Sequence, residues 1–180
     1  GRIYADPYRI TQILINLLSN AVKFTDKGRI TVNIEWIEGP TQVTDESFEP
    51  IPYELEEEGI FDKNERFISS FCEEERAILK MKHNYFALAL KEKALKIKST
   101  GIFKISVTDT GCGIPEADLG KLFQRFSQVN NDNSKKQIGS GLGLYITKEL
   151  ILKMDGDIRV YSRKGCGTTF MVCIPTTSEF

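Results

Sequence analysis

The stretch "GIFKISVTDTGCGIP", Gly101 to Pro115, constrains this chain more than any other. Its first half alternates with a period of two: Phe103, Ile105 and Val107 share one face, and Lys104, Ser106 and Thr108 share the other. That is the pattern of a strand with one side against an apolar layer, so the chain must supply a sheet and something to cover it. The next position on the apolar side is Asp109. A carboxylate delivered into that register is costly unless donors reach it. Gly111 and Gly113 follow, and they let backbone approach a neighbour closely or take positive φ. The run predicts a strand that ends in a carboxylate awaiting a donor, beside a tight turn.

What surrounds this strand is read in the same way. Asp6 can cap a helix with Pro7 at its first position, and Ile10, Ile13, Leu14, Leu17, Leu18 and Ala21 follow at helical spacing. "GRITVNIEW" reads as a strand, "EADLGKLFQRF" as a short helix, and "GLGLYITKELILKM" as a helix opened by glycines and closed near Gly156. "DIRVYSR" and "GTTFMVCIP", joined by "KGCG", make a closing hairpin. Residues 38–71 have no clean period and read as an irregular acidic loop; Ser70 and Glu73 form a capping-box pattern for a helix to about Ile97. "SQVNNDNSKKQIGS" is polar and reads as a mobile loop. The fold class is therefore an α/β two-layer sandwich, a mixed sheet with helices packed on one face.

Composition narrows the class further. The chain of 180 residues fits one domain with a sizeable core, and 41% apolar with 27% charged residues is ordinary for a soluble globular protein. No run approaches the ~20 apolar residues of a membrane span, and no signal-peptide pattern opens the sequence. Cys72, Cys112, Cys166 and Cys173 are scattered, which reads as neither a zinc site nor a disulfide framework and makes a cytoplasmic setting the default. A net charge of −1 argues against nucleic acid as a partner. Charge is nevertheless segregated: residues 41–75 carry −10 and residues 76–98 carry +6.

Two further features carry chemistry. On the first helix Gln12, Asn16, Asn20 and Lys23 fall within an ~80° stripe bordering the apolar face. Asparagine is a poor helix former, and its amide oxygen is a neutral hard ligand suited to Mg²⁺ near phosphates. "GSGLGL", Gly139 to Leu144, opens a helix, where free N–H groups and the positive dipole end suit phosphate. It is neither a Walker loop nor a Rossmann loop.

In order, "NLLSNAVKFT", "DTGCGIP", "LFQRF", "GSGLGL" and "GCGTTF" resemble the N, G1, F, G2 and last glycine boxes of the catalytic, ATP-binding domain of histidine kinases. The likeness runs over residues 1–37 and 101–175, and its wording is most similar to the hybrid kinases. It implies the Bergerat fold of the GHKL superfamily, with ATP and Mg²⁺ as cofactors. By this resemblance Asp109 accepts the adenine amino group, Gly111 and Gly113 lie against the base, and Ile114 forms an apolar wall. Asn20 matches the Mg²⁺ ligand, Asn16 the polar group near it, and Lys23 and Phe24 residues beside the phosphates and ribose, with Asn16 and Lys23 as the catalytic pair. Gly139, Gly141, Leu142 and Gly143 match the phosphate-side lid hinge, and Thr168 a hydroxyl near adenine. The implied function is to bind Mg-ATP and supply its γ-phosphoryl group to a histidine on a separate phosphoacceptor hairpin. The implied partners are that hairpin and a receiver domain, with the fragment monomeric and the whole protein a dimer, soluble or membrane-anchored elsewhere.

The chain departs from the family pattern in three places. Residues 38–100 replace a short connection. Gln128 stands where many members place arginine, leaving Arg125, Lys135 or Lys136 to face a γ-phosphate. The single histidine, His83, lies in the inserted helix in the wrong context for an acceptor. Two rivals are separable. Gyrase-like, chaperone-like and mismatch-repair ATPases of this fold carry a glutamate base where this chain has Asn16, and an amide cannot take a proton from water. A nucleotide-independent interaction module would lack Asp109, Asn20 or a lid glycine, and all are present.

Overall fold

The computed structural model describes residues 2–48, 68–69, 99–126 and 141–179. Its strands are β1 (Arg2–Ile3), β2 (Ile30–Glu38), β3 (Ile68–Ser69), β4 (Ser99–Asp109), β5 (Asp157–Arg163) and β6 (Gly167–Glu179). Its helices are α1 (Pro7–Phe24), α2 (Glu116–Leu119) and α3 (Gly143–Leu152). The strands form one sheet in the order β2-β4-β6-β5-β3, with β1 beside the end of β6. Every pairing between described strands is antiparallel, so these strands supply the antiparallel part of the mixed sheet expected.

Helix α1 starts as its sequence dictates. Asp6 accepts hydrogen bonds from the N–H groups of Tyr8 (3.0 Å) and Arg9 (3.3 Å), and Pro7 needs no donor partner there. Its apolar stripe joins α2 and α3 over one face of the sheet. Ile13, Leu17 and Ala21 pack with Ile105 and Val107 of β4, Ile158 and Val160 of β5, Phe170 and Val172 of β6, and Ile151 of α3. The alternation in β4 therefore points where the sequence indicated, with Phe103 at the edge of this core. Helix α2 is shorter than expected. After Leu119 the chain continues in i→i+3 turns, because Leu119, Leu122 and Phe123 must all reach the core and tighter winding brings positions three apart onto one side.

The opposite face of the sheet was not legible. It carries Ile102, Tyr161, Met171 and Cys173, and a 3₁₀ turn at Asp45–Phe48 caps them with the fully buried Phe48. Arg159 is 3% exposed and stacks on the Phe48 ring, with Asp157 and Asp45 as ion-pair partners. Lys104 is 1% exposed and lies 3.6 Å from Glu35 on the neighbouring strand. The irregular loop expected over residues 38–71 is thus corrected at two points: Asp45–Phe48 is an ordered turn, and Ile68–Ser69 is a strand on β5. The capping box at Ser70, the inserted helix with His83, and the whole polar loop, including Gln128, Lys135, Lys136 and Gly139, lie outside the described residues. No described helix is long and apolar enough to cross a membrane.

Candidate functional site

The sheet register assembles the site. Asp109 ends β4 between Ile30 of β2 and Thr168 of β6, and it is 5% exposed. Its carboxylate accepts the Gly111 N–H at 2.9 Å. Burial raises its pKa above the ordinary carboxylate value; the Gly111 N–H, the Thr25 hydroxyl and the Thr168 backbone oppose that shift without cancelling it. A charged acceptor at this position is therefore short of donors.

The turn after Asp109 is gripped from both sides. The Cys112 N–H donates to the Phe24 carbonyl at the end of α1, and the Gly165 N–H of the closing hairpin donates to the Cys112 carbonyl at 2.7 Å. Gly113 has φ +62, and a Cβ there would sit 1.9 Å from the Arg163 carbonyl oxygen. Gly167 faces the same limit: φ is +138 and a Cβ would lie 2.0 Å from the Asp109 carbonyl oxygen. Only glycine allows the two turns to close against each other. Ser162, which no sequence motif singles out, ties the assembly together. Its hydroxyl accepts the Ile114 N–H at 2.8 Å, donates to the Gly167 carbonyl and meets the Thr168 hydroxyl at 2.8 Å. Ile114 is half-buried against the main core.

The polar stripe of α1 faces the start of α3. Asn16 Nδ2 donates to the Gly143 carbonyl at 3.2 Å and to the Thr147 hydroxyl at 3.1 Å, while Asn16 Oδ1 accepts from Gln12. Both ends of this amide are engaged, so Asn16 braces two helices. Asn20, half-buried just over one turn further on, makes no hydrogen bond with its amide among the described residues. Lys23 is exposed, with its ammonium 4.8 Å from the Phe24 ring centroid. Gly141 takes φ +67, Leu142 caps α3, and Gly143 begins it with no atom of the other described residues closer than 4.0 Å to a Cβ. Arg125 lies over the rings of Phe126 and Tyr145 at 6.0 and 5.3 Å.

The structure thus brings Asp109, Gly111, Gly113, Ile114 and Thr168 together at the ends of β4 and β6, with the C-terminus of α1 against their turn. Asn16 joins the middle of α1 to the start of α3. The missed contributors are Ser162 and Thr25. A serine in a strand carries no signal, and a threonine at a helix end reads as an ordinary terminus.

Comparison with known proteins agrees with this geometry. The family model described as histidine kinase-, DNA gyrase B- and HSP90-like ATPase matches residues 77–178, which hold every site residue from Asp109 onward and leave α1 outside. Histidine kinase 5 of Arabidopsis thaliana is 32% identical over 173 residues, covering 96% of this chain and 15% of that protein. Hybrid signal transduction histidine kinase G of Dictyostelium discoideum is 32% identical over 198 residues, covering 95% of this chain and 5% of that protein. The chain therefore spans a small part of the relatives it matches. In fold it is similar to full-length ShkA crystallised with AMPPNP, with a TM-score of 0.55 at 22% identity, over 98% of this chain and 23% of that one. It is also similar to the mycobacterial sensor histidine kinase MprB, with a TM-score of 0.54 at 18% identity, over 98% of this chain and 78% of that one. The chain belongs to the histidine kinase-, DNA gyrase B- and HSP90-like ATPase family, and the relatives it resembles are histidine kinases, hybrid kinases among them.

Proposed function

We propose that this domain binds Mg-ATP and presents the γ-phosphoryl group to a histidine on a separate phosphoacceptor hairpin. The observation that carries the reading is the buried Asp109 carboxylate, under-supplied with donors, at the mouth of two interlocked glycine turns. The adenine amino group is the donor it lacks. In this reading Gly111 and Gly113 bring backbone against the base, Ile114 walls it, and the Thr168 hydroxyl lies across the strand from Asp109. Lys23 and Phe24 serve the phosphates and ribose, and Gly139, Gly141, Leu142 and Gly143 hinge the lid.

Asn20 fits a Mg²⁺ ligand, because its half-buried amide has no other hydrogen bond to give up. Mg²⁺ bound there supplies charge neutralisation for the phosphates. A neutral imidazole is already nucleophilic, so the domain's task is to hold the donor in line, and no base is required of it. Hydrolysis is disfavoured on the same ground. Asn16 cannot take a proton from water, and both ends of its amide are engaged by α3 and Gln12.

The test is incubation of the isolated chain with γ-labelled ATP, with and without an added phosphoacceptor hairpin from a related kinase. Nucleotide binding without self-labelling, slow phosphate release, and acid-labile label on the hairpin are expected. Acid-stable label would indicate a serine kinase, and brisk phosphate release an ATPase. The receiver domain and dimeric assembly of the whole protein belong to the same reading.

A further inference from the structure

Thr25 is the C-cap of α1, and its hydroxyl oxygen is fully buried yet makes no hydrogen bond of normal geometry. A threonine at a helix end ordinarily bonds back to a carbonyl of the preceding turn. Here it does not, and a buried hydroxyl without a partner is retained against a cost. What lies beside it is the Asp109 carboxylate, whose proton affinity the Thr25 hydroxyl lowers. The two are held close by backbone, since Phe24 accepts the Cys112 N–H and its carbonyl oxygen lies 2.2 Å from where a Cβ on Gly111 would sit.

We propose that Thr25 is a positioning residue of the nucleotide site: its hydroxyl, unpartnered without ligand, donates to Asp109 once the base is bound and orients that carboxylate to accept the exocyclic amine. The assignment rests on the nucleotide reading above. Gly111 donates to one oxygen of the carboxylate along the turn. The Thr168 backbone reaches it from the neighbouring strand, and a further donor from the helix end holds the carboxylate from a third direction. Thr25 acts through Asp109, so its effect belongs to ligands that carry the amine.

The experiment uses the full chain with Thr25→Val and Thr25→Ser. Valine keeps the branched shape that suits the extended conformation here (φ −115, ψ 91) and removes only the hydroxyl. Calorimetry with ATP should show affinity lowered about three- to tenfold in Thr25→Val, and within about twofold of wild type in Thr25→Ser. The pH at which binding fades on acidification should move upward in Thr25→Val alone, because Asp109 has lost a donor to its charged form. The melting temperature without nucleotide should be unchanged or higher in Thr25→Val, since a buried hydroxyl without a partner has gone. Equal affinity and an unmoved pH profile in Thr25→Val would overturn the assignment, as would equal losses in both variants. If the wild-type chain binds no nucleotide, the nucleotide reading falls and this one with it.

Discussion

Asp109, the proposed acceptor for the base, is buried at a cost to the fold. Burial raises its pKa, so the folded protein holds its proton more tightly than the unfolded chain does. Its charge therefore costs stability near neutral pH, and that cost is relieved as the pH falls through the raised value. Asp109→Asn carries no such charge. The variant's stability advantage over wild type should be widest near neutrality and shrink on acidification, as chemical denaturation of both proteins would measure. A gap that grew on acidification would mean that the donors around Asp109 outweigh its burial. The same substitution should lower ATP affinity about ten- to a hundredfold, because an amide is a weaker acceptor and presents its own NH₂ to the base. Titration with a fluorescent ATP analogue checks this, and unchanged affinity would remove Asp109 from the site.

At the scale of elements, the contact between α1 and α3 is polar at the first turns of α3. Asn16 donates to the Gly143 carbonyl and the Thr147 hydroxyl, both in the first turns of α3. Asn16→Ala should cost about 1–2 kcal/mol and speed hydrogen exchange at Ile146 and Thr147. Asn16→Asp should cost more, because it sets an acceptor against the Gly143 carbonyl; a denaturation series ranks the two. The glycines divide by the same geometry. Gly143 has room for a Cβ and a helical place, so Gly143→Ala should be neutral or stabilising by up to about 1 kcal/mol. Gly113→Ala meets the Arg163 carbonyl in a left-handed conformation and should cost about 2 kcal/mol or more. Equal melting temperatures for these two alanine variants would refute that division.

At the scale of the whole molecule, the sheet has an apolar face under the helices and a face of buried charge opposite. Arg159 organises that second face by stacking on Phe48 and pairing with Asp157. Removing it would take the Arg159 cation away from the Asp157 carboxylate, which is 7% exposed. Arg159→Ala should therefore cost about 3 kcal/mol or more, with little of it from Asp45, which is exposed. It should also release the Asp45–Phe48 turn, which limited proteolysis would detect as new cleavage there. Cys173 lies in the same layer, where burial pushes its thiol up to about 12, and it should resist alkylation until the protein unfolds.

Much of the architecture was determined by the sequence itself. Alternation in β4, the cap and stripe of α1, and the closing hairpin are set by neighbours within a few residues, where periodicity reports burial directly. Asp109 and the glycine turns were visible as departures from those local rules. The tertiary structure alone decided what depends on distant pairing. The β4–β6 register sets Asp109 opposite Thr168, and the sheet closes Gly113 and Gly167 on backbone 50 and 58 positions away. The tertiary structure also put Lys104 and Arg159 into a covered layer, and Phe48 and its turn, which cover Arg159, come from a segment with no periodicity of its own. Thr25 and Ser162 entered the site for the same reason. A hydroxyl signals nothing until the fold determines what stands within its reach.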